Sequence, residues 1–287
     1  MKAISRWGLA AVTLAVLPAG GCIVIGGGVW WGFPTVWTEA VTERVAISTD
    51  GLNAMAVRTH NGSVTLEGQD AAQEAYVIVT KKAGASTAPG AAEAMAALET
   101  FVEPAGDGTL NIGYRWSVPK KGGWTQQVSF EVHAPAHVAI DAESHNGAIR
   151  VANVTGDVRV ETHNGGVTVS SREGRLQAET HNGRIAATYI GESVLLETHN
   201  GSVTADLSGC ASVAGSITTH NGGVEIVVGD AMSARLVAST HNGGIRCAVP
   251  LSEMESSRRK LEGVLGGGAG RLAVTTHNGS VRVKTAG

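Results

Sequence analysis

The tripeptide His-Asn-Gly occurs eight times in this chain, at His60, His145, His163, His181, His199, His220, His241 and His277. Four of these histidines have a glutamate two residues earlier: Glu143, Glu161, Glu179 and Glu197. Imidazole and carboxylate are competent ligands for Zn²⁺, Cu²⁺ or Ni²⁺. Imidazole is also the side chain whose charge ordinarily changes near neutrality. The candidate metal set is therefore His145, His163, His181 and His199 with Glu143, Glu161, Glu179 and Glu197. A line of equally spaced ligands is not a tetrahedral cage, so weak metal binding or proton sensing is the chemistry to expect. The competing reading is that repeat duplication copied one tolerated surface residue.

Such a line exists only if the chain stacks the repeats. From His145 onward the spacings are 18, 18, 18, 21, 21 and 36 residues, the last equal to two 18-residue steps. A fixed period of this length signals units that cannot bury their own faces alone. Within Val158–Val169, Val158, Val160 and Thr162 share one parity, and Arg159, Glu161 and His163 share the other. Strand side chains alternate with period two, so the first set faces inward and the second faces solvent. Each unit supplies two short strands and an Asn-Gly corner, where glycine provides the positive φ of a tight turn. The corner residues are Asn61-Gly62, Asn146-Gly147, Asn164-Gly165, Asn182-Gly183, Asn200-Gly201, Asn221-Gly222, Asn242-Gly243 and Asn278-Gly279. One corner type recurring once per two strands fits a coil better than a hairpin meander. The expected fold is mostly β: a parallel β-solenoid of about 18–21 residues per coil, right-handed by the rule for parallel crossovers. Equivalent residues then form ladders about 4.8 Å apart, with threonines inside and asparagine amides joining the layers at the corner.

Composition agrees with a thin aliphatic interior. Glycine numbers 39, and after Phe130 the only Phe, Trp or Tyr is Tyr189. The net charge of −3 does not suggest nucleic acid as a partner. Cys210 and Cys247 sit at different offsets from their repeat markers, which places them poorly for a disulfide; they read as small buried hydrophobes. A catalytic triad needs one singular nucleophile, base and acid held together. Here the histidine is repeated, and no serine or cysteine elbow stands out. Polysaccharide-active β-helix enzymes need clustered acids and bases at a groove, which the coils do not show. The chain therefore reads as a non-enzyme with no cofactor.

Residues 41–137 break the pattern and read as strands and a helix capping the repeat domain, which spans 138–287. Tyr76–Lys81 and Val128–His133 alternate as strands, and Ala91–Val102 carries Ala92, Met95, Leu98 and Phe101 at helical spacing. His133 and His137 flank Pro135 and read as structural. Residues 250–270 form an excursion in place of a missing marker. Arg282 and Lys284 of the last strand point outward, where charge would discourage end-to-end stacking.

The first residues are an export address. Lys2 and Arg6 precede an apolar stretch from Trp7 to about Leu17, then Pro18-Ala19-Gly20-Gly21-Cys22. The run resembles a bacterial lipoprotein box, with Ala19 where leucine is more usual. It implies a signal peptide over residues 1–22, lipidation of Cys22 and an apolar, glycine-rich tether over 23–40. Ile23-Val24-Ile25 prolongs the apolar run, so an uncleaved anchor and ordinary secretion stay open. All three export the remainder.

The series of alternating strands punctuated by T-x-N-G resembles the bacterial putative-adhesin family of β-strand-repeat proteins, a domain of unknown function. Val128–Val151 is similar to that family's leading strand, proline and first coil, and Gly268–Val283 to its last. The resemblance spans roughly residues 40–287, and the histidine before each Asn-Gly departs from the family pattern. It implies a cell-envelope protein without catalytic residues, a structural or adhesin-like interaction module. Its expected partners are the membrane, through the lipid anchor, and an envelope protein or glycan. A metal- or pH-responsive surface on the His/Glu columns is the alternative, and a polysaccharide-active enzyme a second one.

Overall fold

The computed structural model describes residues 37–70 and 73–286. The expected signal peptide over 1–22 with Cys22, and most of the expected tether over 23–40, lie outside the described residues. The chain begins with β1 (Trp37–Ala46), β2 (Ala54–Asn61), β3 (Val64–Gln69) and β4 (Tyr76–Ala85). Helix α1 (Ala88–Ala97), β5 (Leu98–Pro104), β6 (Thr109–Trp116) and β7 (Thr125–Pro135) follow. The repeats form β8 (Ala139–Asn146), β9 (Ile149–Val154), β10 (Val158–Thr162), β11 (Val167–Ser171), β12 (Arg175–Thr180) and β13 (Ile185–Tyr189). They continue through β14 (Ser193–Asn200), β15 (Val203–Leu207), β16 (Ala214–Asn221), β17 (Val224–Val228), β18 (Ala234–Asn242) and β19 (Ile245–Cys247). Last come β20 (Ser252–Ser256), β21 (Lys260–Leu265), β22 (Gly270–Asn278) and β23 (Val281–Thr285).

These strands build two large sheets, of 11 and 12 strands. From β8 to β19 the chain alternates between them, and each strand pairs in parallel with the strand of the neighbouring repeat. Val160 lies beside Ala142 and Ala178, and Val169 beside Val151 and Ala187. The alternating pattern explains why. Val158, Val160, Thr162, Val167 and Val169 are buried between the sheets, whereas Arg159, Glu161 and His163 are exposed. β2 and β3 add a layer to the same stack, beside β8 and β9.

The sheets are mixed, which corrects the expectation of an all-parallel fold. β1, β4 and β7 pair antiparallel, as do β5 with β6 and β21 with β18 and β20. The helix is also shorter and earlier than the spacing predicts. Thr87 caps it, its hydroxyl accepting from Gly90 N at 3.1 Å, and Pro89 fits its first turn. It buries Ala91, Ala94, Met95 and Ala97, with Ala92 exposed. Leu98–Val102 instead pairs with β6, because Thr100, Phe101 and Val102 favour a strand once a partner edge is at hand.

The largest departure concerns the last repeat. β22 lies between β16 and β18, and β23 between β17 and β19. The 36-residue spacing is therefore not two steps upward. The chain leaves a slot one layer high between the repeats of His220 and His241, makes the β20–β21 hairpin on the outer edge of β18, then returns to fill the slot. Arg282 and Lys284 consequently lie inside the stack rather than at its end. They pair with Glu225 on the adjacent strand, at 3.3 and 2.8 Å.

Candidate functional site

The repeated corner brings the His, Asn, Gly and Thr positions onto one ridge. Each inward hydroxyl reaches one layer back to a backbone carbonyl. Thr162, Thr180 and Thr198 donate to Gly147, Gly165 and Gly183 at 2.9, 2.9 and 3.0 Å. Thr219, Thr276 and Thr240 donate to Gly201, Gly222 and Gly279, each at 2.8 Å. Ser144 does the same to Gly62 at 2.9 Å, and Thr59 to Val128 at 2.7 Å. These bonds satisfy carbonyls that a sharp corner would otherwise bury unpaired.

Beside them runs a continuous amide ladder. Asn242 donates to Asn278, which donates to Asn221, then Asn200, Asn182, Asn164, Asn146 and Asn61, at 2.7 to 2.9 Å per step. Asn61 closes the chain on the carbonyl of Gln126 at 3.3 Å. All eight amides point the same way, so their dipoles add.

The repeat glycines are required for space and not for the positive φ expected of a tight turn. Only Gly62 among them has a positive φ, and at +158° it is nearly extended. What forbids a side chain is space. A Cβ on Gly165, Gly183 or Gly201 would stand 2.0, 1.9 or 1.8 Å from the glycine carbonyl oxygen of the layer beneath. Asn-Gly here marks close approach of stacked backbones, not a left-handed turn.

The eight imidazoles stack in the order His60, His145, His163, His181, His199, His220, His277, His241. Successive ring centroids are 4.6 to 4.9 Å apart, and the planes differ by 2 to 6°. All eight are exposed. Glu143, Glu161, Glu179 and Glu197 form a second column in register with one another. The two columns run side by side without ion pairs; among the described residues only His133 lies within 4.0 Å of a carboxylate, that of Glu131 at 2.9 Å. A nitrogen lone pair lies in the plane of its ring. Stacked parallel rings therefore aim their lone pairs side by side and not at a common point. Among the described residues no three His, Cys, Asp or Glu side chains are grouped to hold a metal ion. Two neighbouring rings would have to rotate before sharing one.

The glutamate column changes character along the stack. It begins with Arg58, beside Glu143 at 3.2 Å. After Glu197 it continues as Thr218, Thr275 and Ser239. Between these hydroxyls and His199, His220, His277 and His241 lies a shallow trough of about 470 Å³.

The remaining histidines and cysteines among the described residues lie outside the ridge. His133 stacks on Tyr76 at 4.5 Å and bonds Gln69 at 3.0 Å; His137 is exposed in the turn after β7. Cys210 and Cys247 are free. Cys210 is buried and Cys247, against expectation, only half-buried on the short strand β19. Burial pushes the Cys210 thiol up from its usual range. Tyr189 fills the opposite corner, donating to Gly174 O at 2.6 Å and accepting from Ser193 N at 3.0 Å. Burial raises its phenol above the ordinary value.

No family model matches this chain, and no curated protein does. Solved structures similar to it include a putative adhesin from Parabacteroides distasonis, with 13% identity and a TM-score of 0.42, covering 86% of this chain and 97% of that one. A putative cell adhesion protein from Clostridium sporogenes shares 9% identity with a TM-score of 0.37, covering 86% and 100%. A putative lipid binding protein from Parabacteroides distasonis shares 13% with a TM-score of 0.37, covering 86% and 97%. At such values no residue role passes from those proteins to this chain.

Proposed function

We propose that this chain is a non-catalytic interaction module of the bacterial cell envelope, an adhesin-like lipoprotein held at a membrane through Cys22. On this reading the parallel stack is one β-solenoid, and the His-Asn-Gly ridge is the face it offers to an envelope protein or glycan. The observation that carries the reading is the ridge itself. Eight identical exposed side chains stand at one layer spacing, held rigid from behind by an unbroken amide ladder. Such a surface suits a partner that repeats along a line. The test is cosedimentation of the full chain with envelopes stripped of their own copy, against a variant with all eight ridge histidines changed to Thr. We expect retention to fall at least fivefold in a variant that still melts cooperatively. Equal retention would remove the ridge as the contact face. Separately, Cys22→Ser should shift the protein from the membrane to the aqueous fraction; continued membrane residence would overturn the lipid anchor.

A second reading, a proton-responsive surface, is favoured by the face-to-face imidazoles. Proton uptake by such a line would convert it into a row of like charges. Envelope retention compared at pH 5.5 and 7.5 tests it, and a pH-independent result would sink it. The parallel lone pairs favour protons over metal ions as the agent.

A further inference from the structure

The outer face of the 12-stranded sheet is electrically divided. Toward the N-terminal layers the ridge is flanked by carboxylates, and Arg58 there is already engaged by Asp141 and Glu143. Toward the other end the flank carries only hydroxyls, and the column then ends on a cation. Lys260 of β21 lies directly opposite Ser239, and opposed residues of an antiparallel pair project from the same face. Lys260 is therefore the next member of the column Thr218, Thr275, Ser239. Arg259 and Arg258 pass over the corner of the last layer, where Arg259 O accepts from Thr240 N at 3.0 Å and Arg258 O from Ile245 N at 3.2 Å. All three basic residues are exposed, and among the described residues none is in an ion pair within 4.0 Å. The neighbouring carboxylates are accounted for differently. Glu253 and Glu262 are held by Arg235, both at 3.1 Å. Glu255 lies opposite Glu262 across the hairpin, exposed and in no ion pair within 4.0 Å among the described residues, and Glu197 closes the far end of the trough.

Resting on the interaction-module reading and deepening it, we infer that this trough binds an extended acidic polysaccharide. The Arg258-Arg259-Lys260 end would take its carboxylates. Thr218, Thr275, Ser239 and the imidazole edges would hydrogen-bond its hydroxyls. Two features select this class. Layers recur about every 4.8 Å, close to the rise of one sugar in an extended glycan. A nucleic-acid duplex instead presents a phosphate about every 3.4 Å per strand. Hydroxyls and imidazoles that alternate as donors and acceptors also match a polyhydroxyl chain better than a bare row of phosphates.

The experiment is titration of the full chain in detergent micelles with polygalacturonate, with neutral dextran and duplex DNA as comparisons. We expect saturable binding of polygalacturonate, no binding of dextran, and weaker binding of DNA. The triple variant R258Q/R259Q/K260Q, altered in an exposed turn, should lose at least tenfold in affinity with its melting curve unchanged. Arg58→Gln, at the acidic half, should leave affinity unchanged. The inference is overturned by absent polygalacturonate binding, by unaltered affinity in the triple variant, or by DNA binding equally well. Ridge-dependent envelope retention in a protein that ignores polygalacturonate would refute this inference alone. Loss of both would also refute the interaction-module reading.

Discussion

The eight-layer stack and the group formed by β1, α1 and β4 to β7 hold themselves together by different means. In the stack the same three side-chain contacts recur from layer to layer, through Thr (Ser144 in one layer), Asn and His. Apart from the hydroxyl ladder, Ser171 and Cys210, its interior is aliphatic, and its one buried aromatic among the described residues is Tyr189. The leading group uses contacts that occur once. Trp116 packs on Trp124 at 5.2 Å, Arg44 lies over Tyr76 at 4.0 Å, and Arg115 reaches Glu99 and Glu103 while lying over Phe101. All the described Phe, Trp and Tyr residues except Tyr189 belong to this group and its immediate neighbours. A repeated contact therefore confines its consequences to adjacent layers, as in a one-dimensional array, whereas a unique contact has no copy to share its load.

The slot filled by β22 and β23 is where the array can be broken most severely. A chain ending at Ala269 would expose the edges of β16, β17, β18 and β19 at once. We expect its melting midpoint to fall by more than about 10 °C, since each kcal/mol moves the midpoint by about 2–4 °C at this size. A midpoint within a few degrees of the full chain would show that the last repeat is an appendage and not an internal layer. Next in size is a paired glycine test. Gly183→Ala drives a methyl into the Gly165 carbonyl and should cost about 3 kcal/mol in urea unfolding. Gly122→Ala, in the β6–β7 loop with open space around it, should stay within about 0.5 kcal/mol. Similar costs at the two positions would refute close approach as the reason for the repeat glycines. Thr180→Val keeps the shape of a buried side chain and removes its bond to Gly165. About 1 kcal/mol should be lost, with hydrogen exchange quickening in the neighbouring layers and not in β1 or β4.

The smallest effect is electrostatic. Lys284, and after it Arg282, holds the Glu225 carboxyl below its usual range. A depressed carboxyl stabilises the fold above its unfolded value of about 4.3, and that stabilisation is lost as the pH falls through the folded value. Glu225→Gln should therefore lower the midpoint slightly at pH 7 and not at pH 2, and added salt should narrow the gap because the group is partly exposed. A gap that persists at pH 2 would point to packing instead of charge.

Much of the stack was legible in the residues. Period-two alternation located Val158, Val160 and Thr162 inside and Glu161 and His163 outside, and eight identical corners announced layers that stack. The leading group was legible only as separate pieces. Leu98 to Phe101 fits a helix by spacing, and it became a strand because β6 offers an edge. Likewise, no local signal at Arg258, Arg259 or Lys260 tells that the hairpin brings them to the end of the hydroxyl column.

Which side chains face inward, and that like residues meet like, follows from the residues alone, because strand geometry is local and the repeat makes every layer equivalent. The order of the layers, the mixed pairing at both ends and the place of the final repeat arise only in the folded chain. Equivalent edges accept any equivalent strand, so sequence spacing cannot say which one arrives. The reach of the 250–270 segment back along the stack decides that.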